Sequence, residues 1–268
     1  MPTAVKPEPG PDLTLAFLFL SAEQREALSA VYAFCRAARE SGAEAIPVLR
    51  GELEAVYVGR PANDLGRRLR PAVERFQLSR EPFENIVSGA AMDLEIRRYR
   101  TFEGLETYLY RAGSSLGVLA IEIFGCRSAS AKEYARWLGY GFRLTEILRD
   151  VGADLDRGRG YLPAADLERF GYSEADLRNR VHNAAFRAAL DYQVRRARAC
   201  FEKARAALDP ADRAAVLPAE VMAAVSERLL ENIQNSGYRV FEGRVALSAP
   251  EKLLAAAGAW WRLGRGRS

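Results

Sequence analysis

Three acidic residues in the middle of the chain have the spacing of a metal site. Glu146, Asp150 and Asp154 follow one another at four-residue steps, which places their carboxylates along one stripe of an α-helix. Like charges at this spacing destabilise a helix by about 0.2–0.5 kcal/mol per pair unless something neutralises them. Mg²⁺ binds carboxylate oxygens and bridges them to phosphate groups. The stripe is therefore a candidate magnesium site, and the pattern alone leaves open the more common alternative, a solvated acidic helix face with neighbouring arginine pairs.

Arginines surround the acidic stripe. Arg149 lies within it, and Arg157 and Arg159 follow shortly after its last aspartate. The planar guanidinium group binds phosphate oxygens in pairs, so these residues are candidates for holding a diphosphate. The apolar residues between the carboxylates must be buried nearby, which favours a partly enclosed site over a fully solvated one.

The elements that position these residues are predicted to be helices. Apolar residues recur with helical periodicity after Asp12, and alternating β-branched runs bounded by turns are absent. No linker long enough to divide domains is present. We therefore predict an all-α, single-domain bundle over residues 13–268, preceded by a flexible, proline-rich arm at 1–12. The predicted helices span roughly 21–40, 46–58, 64–76, 80–97, 102–124, 129–155, 183–208, 210–236 and 250–262.

Composition excludes several classes of function. The net charge is only +4 and no recognition motif is present, so nucleic-acid binding is not expected. His182 is the one histidine, which argues against a Ser-His-Asp triad or a histidine-rich metal site. The three cysteines are far apart and form no CxxC pair, so we expect neither zinc nor disulfides, and a cytoplasmic location. No apolar run is long enough to predict a transmembrane helix.

Five segments in fixed order resemble the squalene and phytoene synthases, nearest their bacterial presqualene diphosphate synthase-like branch. The most specific is ILRDVGADLDRGRGYLP, residues 147–163, which looks like the second aspartate-rich motif of that family. The others are AVYAFCR (30–36), AMDLEIRRYRTFEGLETYLYRAGSSLG (91–117), RRARACFEKA (195–204) and GYRVFEGRVALSAPEKL (237–253).

The resemblance implies a helical bundle of the isoprenoid synthase type around a central cavity. It implies a Mg²⁺-dependent prenyltransferase that condenses two farnesyl or geranylgeranyl diphosphates head to head, through a cyclopropyl intermediate. It assigns Asp150 and Asp154 as magnesium ligands, and Arg149, Arg159 and Tyr161 as diphosphate contacts. It also places four residues along the cavity: Tyr32, Arg36, Asp93 and Tyr108. Of these residues, Tyr32, Arg36 and Tyr161 are the catalytic candidates.

The first aspartate-rich motif of the family is altered. Arg39 and Ala43 occupy the positions of its two aspartates. A guanidinium about 4 Å from a divalent cation would cost several kcal/mol even at an effective dielectric constant of about 20, so the usual magnesium cluster cannot assemble unchanged. The second motif differs too, with Glu146 in place of an asparagine and Ala153 in place of a glutamate.

Two arrangements would compensate for this loss. Glu40 and Glu44 form a displaced carboxylate pair, rotated by about 100° around the helix, and could ligate fewer metal ions. Alternatively, Glu146 returns a carboxylate from the opposite helix while Arg39 binds the diphosphate itself. The simplest interpretation is a relaxed former site in which Arg39 pairs with a surviving acid.

Two functions stay open from the sequence. The first is the condensing prenyltransferase, and the alternative is a catalytically impaired relative that acts as a prenyl-binding or assembly protein. Trp260 and Trp261 beside Arg262, Arg265 and Arg267 suggest a peripheral membrane contact, or simply a last helix with a basic tail. The sequence leaves chain length, product, NADPH use and oligomeric state open.

Overall fold

A computed structural model describes residues 15–264, and the predicted flexible arm at 1–12 lies outside this range. Within it the chain is helical, and the one strand-like contact is an isolated bridge between Arg98 and Gly160. The helices are α1 (Ala22–Glu40), α2 (Ala45–Tyr57), α3 (Asp64–Phe76), α4 (Arg80–Glu95), α5 (Phe102–Leu109), α6 (Ser115–Phe124), α7 (Ala131–Asp156), α8 (Ala164–Arg169), α9 (Glu174–Arg178), α10 (Ala184–Ala207), α11 (Leu217–Asn235) and α12 (Ala249–Gly264). The predicted all-α fold is confirmed.

Side-chain caps set where several helices begin. Ser21 and Gln24 form a complete capping box before α1, and Asn63, Thr101 and Asn183 accept hydrogen bonds from the first turns of α3, α5 and α10. Each cap satisfies an amide that the helix itself leaves unpaired. The α3 helix ends where Gln77 adopts a left-handed conformation.

Helix α7 is the longest described helix and packs against α6, α10 and α11. Helices α5 and α6 form one rod interrupted by a π-helical segment at Tyr110–Ser114. Gly113 of this segment lies against α7, and an added Cβ there would be 2.5 Å from the carbonyl oxygen of Gly139. The absence of a side chain therefore allows this segment and α7 to approach closely.

Most predicted helices lie within two residues of the observed bounds. The prediction for 210–236 was too long, because a short 3₁₀ turn at Pro210–Asp212 is followed by a break before α11 begins at Leu217. The short helices α8 and α9 were missed because their turn-rich surroundings carry no long apolar pattern. Within residues 15–264, no helix is both long enough and apolar enough to span a bilayer.

Candidate functional site

A chamber of about 370 Å³ opens among the helices, which is within the usual range for small-molecule sites. Its apolar wall comes from α1, α4, α6, α7 and α11, and includes Leu28, Ile86, Leu116, Ile121, Phe124 and Phe142. Its charged wall consists of Arg39, Asp93, Arg143, Glu146, Arg149, Arg244 and Lys252. A cavity of this kind suits a molecule with an apolar tail and an anionic head.

Glu146 of the acidic stripe lines the chamber between two arginines. Its Oε2 accepts a hydrogen bond from Arg143 Nη1 at 2.7 Å and lies 4.0 Å from Arg39 Nη1. Burial alone would raise the pKa of Glu146, but the two guanidinium groups outweigh it and hold the pKa below its ordinary value. The glutamate is therefore ionised and already neutralised by cations from α1 and α7.

Asp150 lies one helical turn further along α7, and its carboxylate also has two arginine partners. Arg149 donates to both of its carboxylate oxygens, at 2.9 and 2.7 Å, and Arg244 Nε lies 2.8 Å from Oδ1. Burial would raise the pKa of Asp150, but these arginines lower it. Asp150 therefore orients two guanidinium groups that themselves line the chamber.

Asp154 has a different environment from the other two acids. It lines a second, small cleft together with Arg159 and Tyr161, and among the described residues it forms an ion pair with Arg157 at 3.7 Å. Burial raises the pKa of Asp154 to about 6, against the opposing effect of Arg143. The three acids share one stripe of α7, as predicted, but only Glu146 lies in the chamber wall.

A buried polar network lies against the chamber. Asp93 accepts hydrogen bonds from Tyr161 at 2.7 Å and from Tyr108 at 3.1 Å, and Arg143 also donates to the Tyr108 hydroxyl. The Arg143 guanidinium lies 5.0 Å from the Tyr108 ring centre and 5.4 Å from that of Tyr161. Burial raises the pKa of both tyrosines, so they stay protonated donors.

Two residues predicted to line the chamber do not do so. Arg36 is exposed and absent from the chamber wall, because it lies about 100° around α1 from the chamber-facing Cys35. Tyr108 is fully buried behind the wall and reaches the site only through Asp93 and Arg143. Tyr32 does line the chamber, and burial holds the pKa of its hydroxyl above the ordinary value.

The displaced carboxylate pair does not form. Glu40 is the last residue of α1, and Glu44 occupies the position before α2, after the chain leaves the helical path at Ser41. Both are exposed and neither lines the chamber. A four-residue spacing places two side chains on the same face only within one helix, and no single helix contains both residues.

The residues present do not fit the two-helix magnesium cluster that the family resemblance implies. Among residues 15–264, no three His, Cys, Asp or Glu side chains lie close enough together to hold a metal ion. The first-motif positions hold Arg39 and Ala43, and the carboxylates of Glu146 and Asp150 each have arginine partners. A divalent cation would have to displace guanidinium groups to reach them.

Arg143 and Arg244 line the chamber but were not among the predicted site residues. Arg143 lies three residues before Glu146, on the same face of α7, so its pairing could have been predicted from helical spacing. Arg244 lies in the irregular chain between α11 and α12, and only the tertiary fold brings it to Asp150.

Comparisons with known proteins agree with this architecture. The squalene/phytoene synthase family model matches residues 7–251. A 15-cis-phytoene synthase from Synechocystis sp. is 34% identical over 92% of this chain and 80% of the relative. Another from Synechococcus elongatus is 32% identical over 89% of this chain and 84% of the relative.

Solved structures give the same result. A squalene synthase from Alicyclobacillus acidocaldarius superposes with a TM-score of 0.77 at 26% identity, covering 84% of this chain and 88% of that one. A dehydrosqualene synthase shares the fold with a TM-score of 0.87 at 24% identity, over 96% and 93% of the two chains. These matches span most of the chain, and the chain belongs to the squalene/phytoene synthase family.

Proposed function

We propose that this protein condenses two prenyl diphosphates head to head. The observation that carries the proposal is an apolar chamber whose charged wall is rich in arginine, in a chain of the squalene/phytoene synthase family. The apolar wall suits prenyl tails, because burying each methylene group contributes about 0.8 kcal/mol. The guanidinium groups suit the diphosphates.

The chain's own residues account for binding and for protection of the reaction. Arginines of the charged wall hold the diphosphate of one substrate while its allylic C–O bond breaks and the electron pair leaves with the diphosphate. The double bond of the second chain then attacks the allylic cation and forms a C–C bond. A carbon-bound proton then passes to the released diphosphate as the cyclopropane ring closes, and the diphosphate of the second substrate is retained. The apolar wall excludes water, which would otherwise trap the cation.

Tyr32 and the network of Asp93, Tyr108 and Tyr161 are proposed to position the reacting ends. Tyr32 and Asp93 lie in the chamber wall, and the two other tyrosines fix the Asp93 carboxylate. Arg159 lies in the neighbouring cleft with Asp154. The magnesium role implied for Asp150 and Asp154 enters no step, because Asp150 is paired with Arg149 and Arg244 and Asp154 lies in the neighbouring cleft.

The structure also gives a reason to keep the second candidate, a prenyl-binding protein without turnover. The ion pairs among Arg39, Arg143 and Glu146 occupy the region where the family resemblance places reactive metal and diphosphate. Such a protein would bind prenyl diphosphates and release them unchanged.

A peripheral membrane contact through α12 is part of the proposal. Leu253, Leu254, Trp260 and Trp261 are more than half exposed, and Lys252 of the same helix lines the chamber. An apolar helix face beside the chamber would let prenyl substrates and products exchange with a lipid surface. Sedimentation with anionic vesicles should carry the protein down, and Trp260→Ser with Trp261→Ser should reduce this. The cytoplasmic location stays a prediction.

Product analysis tests the main proposal. The protein is incubated with farnesyl or geranylgeranyl diphosphate, with Mg²⁺ and separately with EDTA, and the extract is analysed for cyclopropyl diphosphates and C30 or C40 hydrocarbons. Condensed product in either condition supports the transferase. Binding of both substrates without product in any condition would favour the second candidate, and neither binding nor product would refute both.

A further inference from the structure

Two residues that differ from the family pattern are neighbours in the structure. Arg39 on α1 stands where the resemblance expects an aspartate, and Glu146 on α7 stands where it expects an asparagine. Their charged atoms lie 4.0 Å apart. The site therefore has a cation on one helix and a complementary anion on the facing helix. Loss of the first motif alone would explain the missing aspartates, but not this matched pair of opposite charges.

The balance of charge at the chamber is positive without any metal. Among residues 15–264, the wall contains five cationic side chains and two carboxylates, and the nearby Asp150 adds a third carboxylate. Relative to the family pattern, Arg39 adds two positive units to this wall and Glu146 removes one. The chamber wall therefore presents net positive charge, mostly from guanidinium groups, to an anionic ligand.

Two buried guanidinium donors near the site have no hydrogen-bond partner among the described residues. They are Arg143 Nε and Arg159 Nε. Arg143 lies in the chamber wall, where its other donors reach Glu146 and Tyr108. A buried unpaired donor is destabilising, and an anionic ligand oxygen would satisfy it.

We propose that this chain binds the diphosphate head of its prenyl ligand directly through Arg39, Arg143 and Arg149, with no divalent metal. The inference rests on the proposed function in taking a prenyl diphosphate as the ligand. Glu146 and Asp150 hold the guanidinium groups in place before the ligand arrives. When it binds, the phosphate oxygens share these donors, which the five N–H groups of each arginine permit.

Calorimetry with an unreactive thio-analogue of farnesyl diphosphate tests this proposal. The dissociation constant is measured in EDTA and in millimolar Mg²⁺ for the full chain. The expected result is binding in EDTA that Mg²⁺ strengthens by less than about twofold. Arg39→Gln should weaken binding in EDTA by about tenfold, the effect of losing one charge-assisted contact. The matched control is Arg68→Gln, an exposed arginine outside the chamber wall, which should change nothing.

A second variant restores the family pattern with Arg39→Asp, Ala43→Asp and Glu146→Asn together. Its binding in EDTA should fall by about 100-fold, and Mg²⁺ should now restore it. Circular dichroism melting confirms that each variant is folded before binding is measured.

Each outcome separates the inference from the function on which it rests. Binding by the unmodified chain only when Mg²⁺ is present would overturn the metal-free site and leave the prenyl transferase proposal standing. Equal binding by Arg39→Gln and the unmodified chain would also overturn it. Absence of binding in both buffers, with no product in the incubation above, would refute the proposed function itself.

Discussion

The Glu146 carboxylate lies between the guanidinium groups of Arg143 and Arg39, so Glu146→Gln should destabilise the ligand-free protein and increase its response to diphosphate. Removing one partner of a fully buried ion pair costs about 3–5 kcal/mol. The Glu146 side chain is 40% exposed and that of Arg143 is 12% exposed, so solvent screening reduces the expected loss to about 2 kcal/mol. For a chain of this size, that lowers Tm by about 4–8 °C.

Inorganic diphosphate provides the second half of the same test. In EDTA, millimolar diphosphate should raise the Tm of Glu146→Gln by more than it raises the Tm of the unmodified protein, since the anion then replaces the missing carboxylate. Differential scanning fluorimetry measures both values.

Glu133→Gln is the matched control for this measurement. Glu133 pairs with Arg136 on the same helix, α7, with the same three-residue spacing and at 3.6 Å, but outside the chamber wall. It should lose at most about 0.5 kcal/mol and gain no response to diphosphate. If Glu146→Gln melts lower but responds to diphosphate no more than the unmodified protein, then Glu146 is only a structural ion-pair partner and the reasoning fails.

Three further predictions follow from the same site. Burial raises the pKa of Asp154 to about 6. Below about pH 4 this carboxyl is protonated in both the folded and the unfolded state and does not destabilise the fold. As the pH rises through about 6, the buried group must ionise and the folded state loses stability. Asp154→Asn should therefore raise Tm near pH 7 by the equivalent of about 1–2 kcal/mol and leave it unchanged near pH 4, and an equal shift at both pH values would exclude this cause. Ala120→Trp, which places a large ring in the chamber wall, should abolish binding of the farnesyl thio-analogue while diphosphate still raises Tm; retained analogue binding would mean that the tail lies elsewhere. Tyr161→Phe leaves one oxygen of the buried Asp93 without its 2.7 Å donor and should cost about 1–3 kcal/mol in urea unfolding, whereas a neutral effect would show that the network is not cooperative.

Much of the bundle could be predicted from local patterns. The capping box at Ser21 and the long apolar periodicity of α7 are properties of neighbouring residues. The sequence alone therefore indicates where such helices begin and which of their faces are buried. The same holds for the acidic stripe of α7, because residues four apart must share a helix face.

The predicted carboxylate pair at Glu40 and Glu44 shows that residue spacing alone does not predict where a helix ends. The spacing is correct only if the helix continues, and the break after Glu40 separates the two residues. Similarly, the position of Arg36 near a conspicuous motif does not show which way its side chain faces.

The sequence by itself determined the family, the all-helical class and the stripe of carboxylates on α7, because helical periodicity and ordered motifs are encoded along the chain. Only the tertiary structure decided what those carboxylates do. The partners of Glu146 and Asp150 include Arg39 on α1 and Arg244 beyond α11, residues about 100 positions away in sequence. Ion pairing depends on distances of a few ångströms, and such distances between remote residues exist only after the helices have packed.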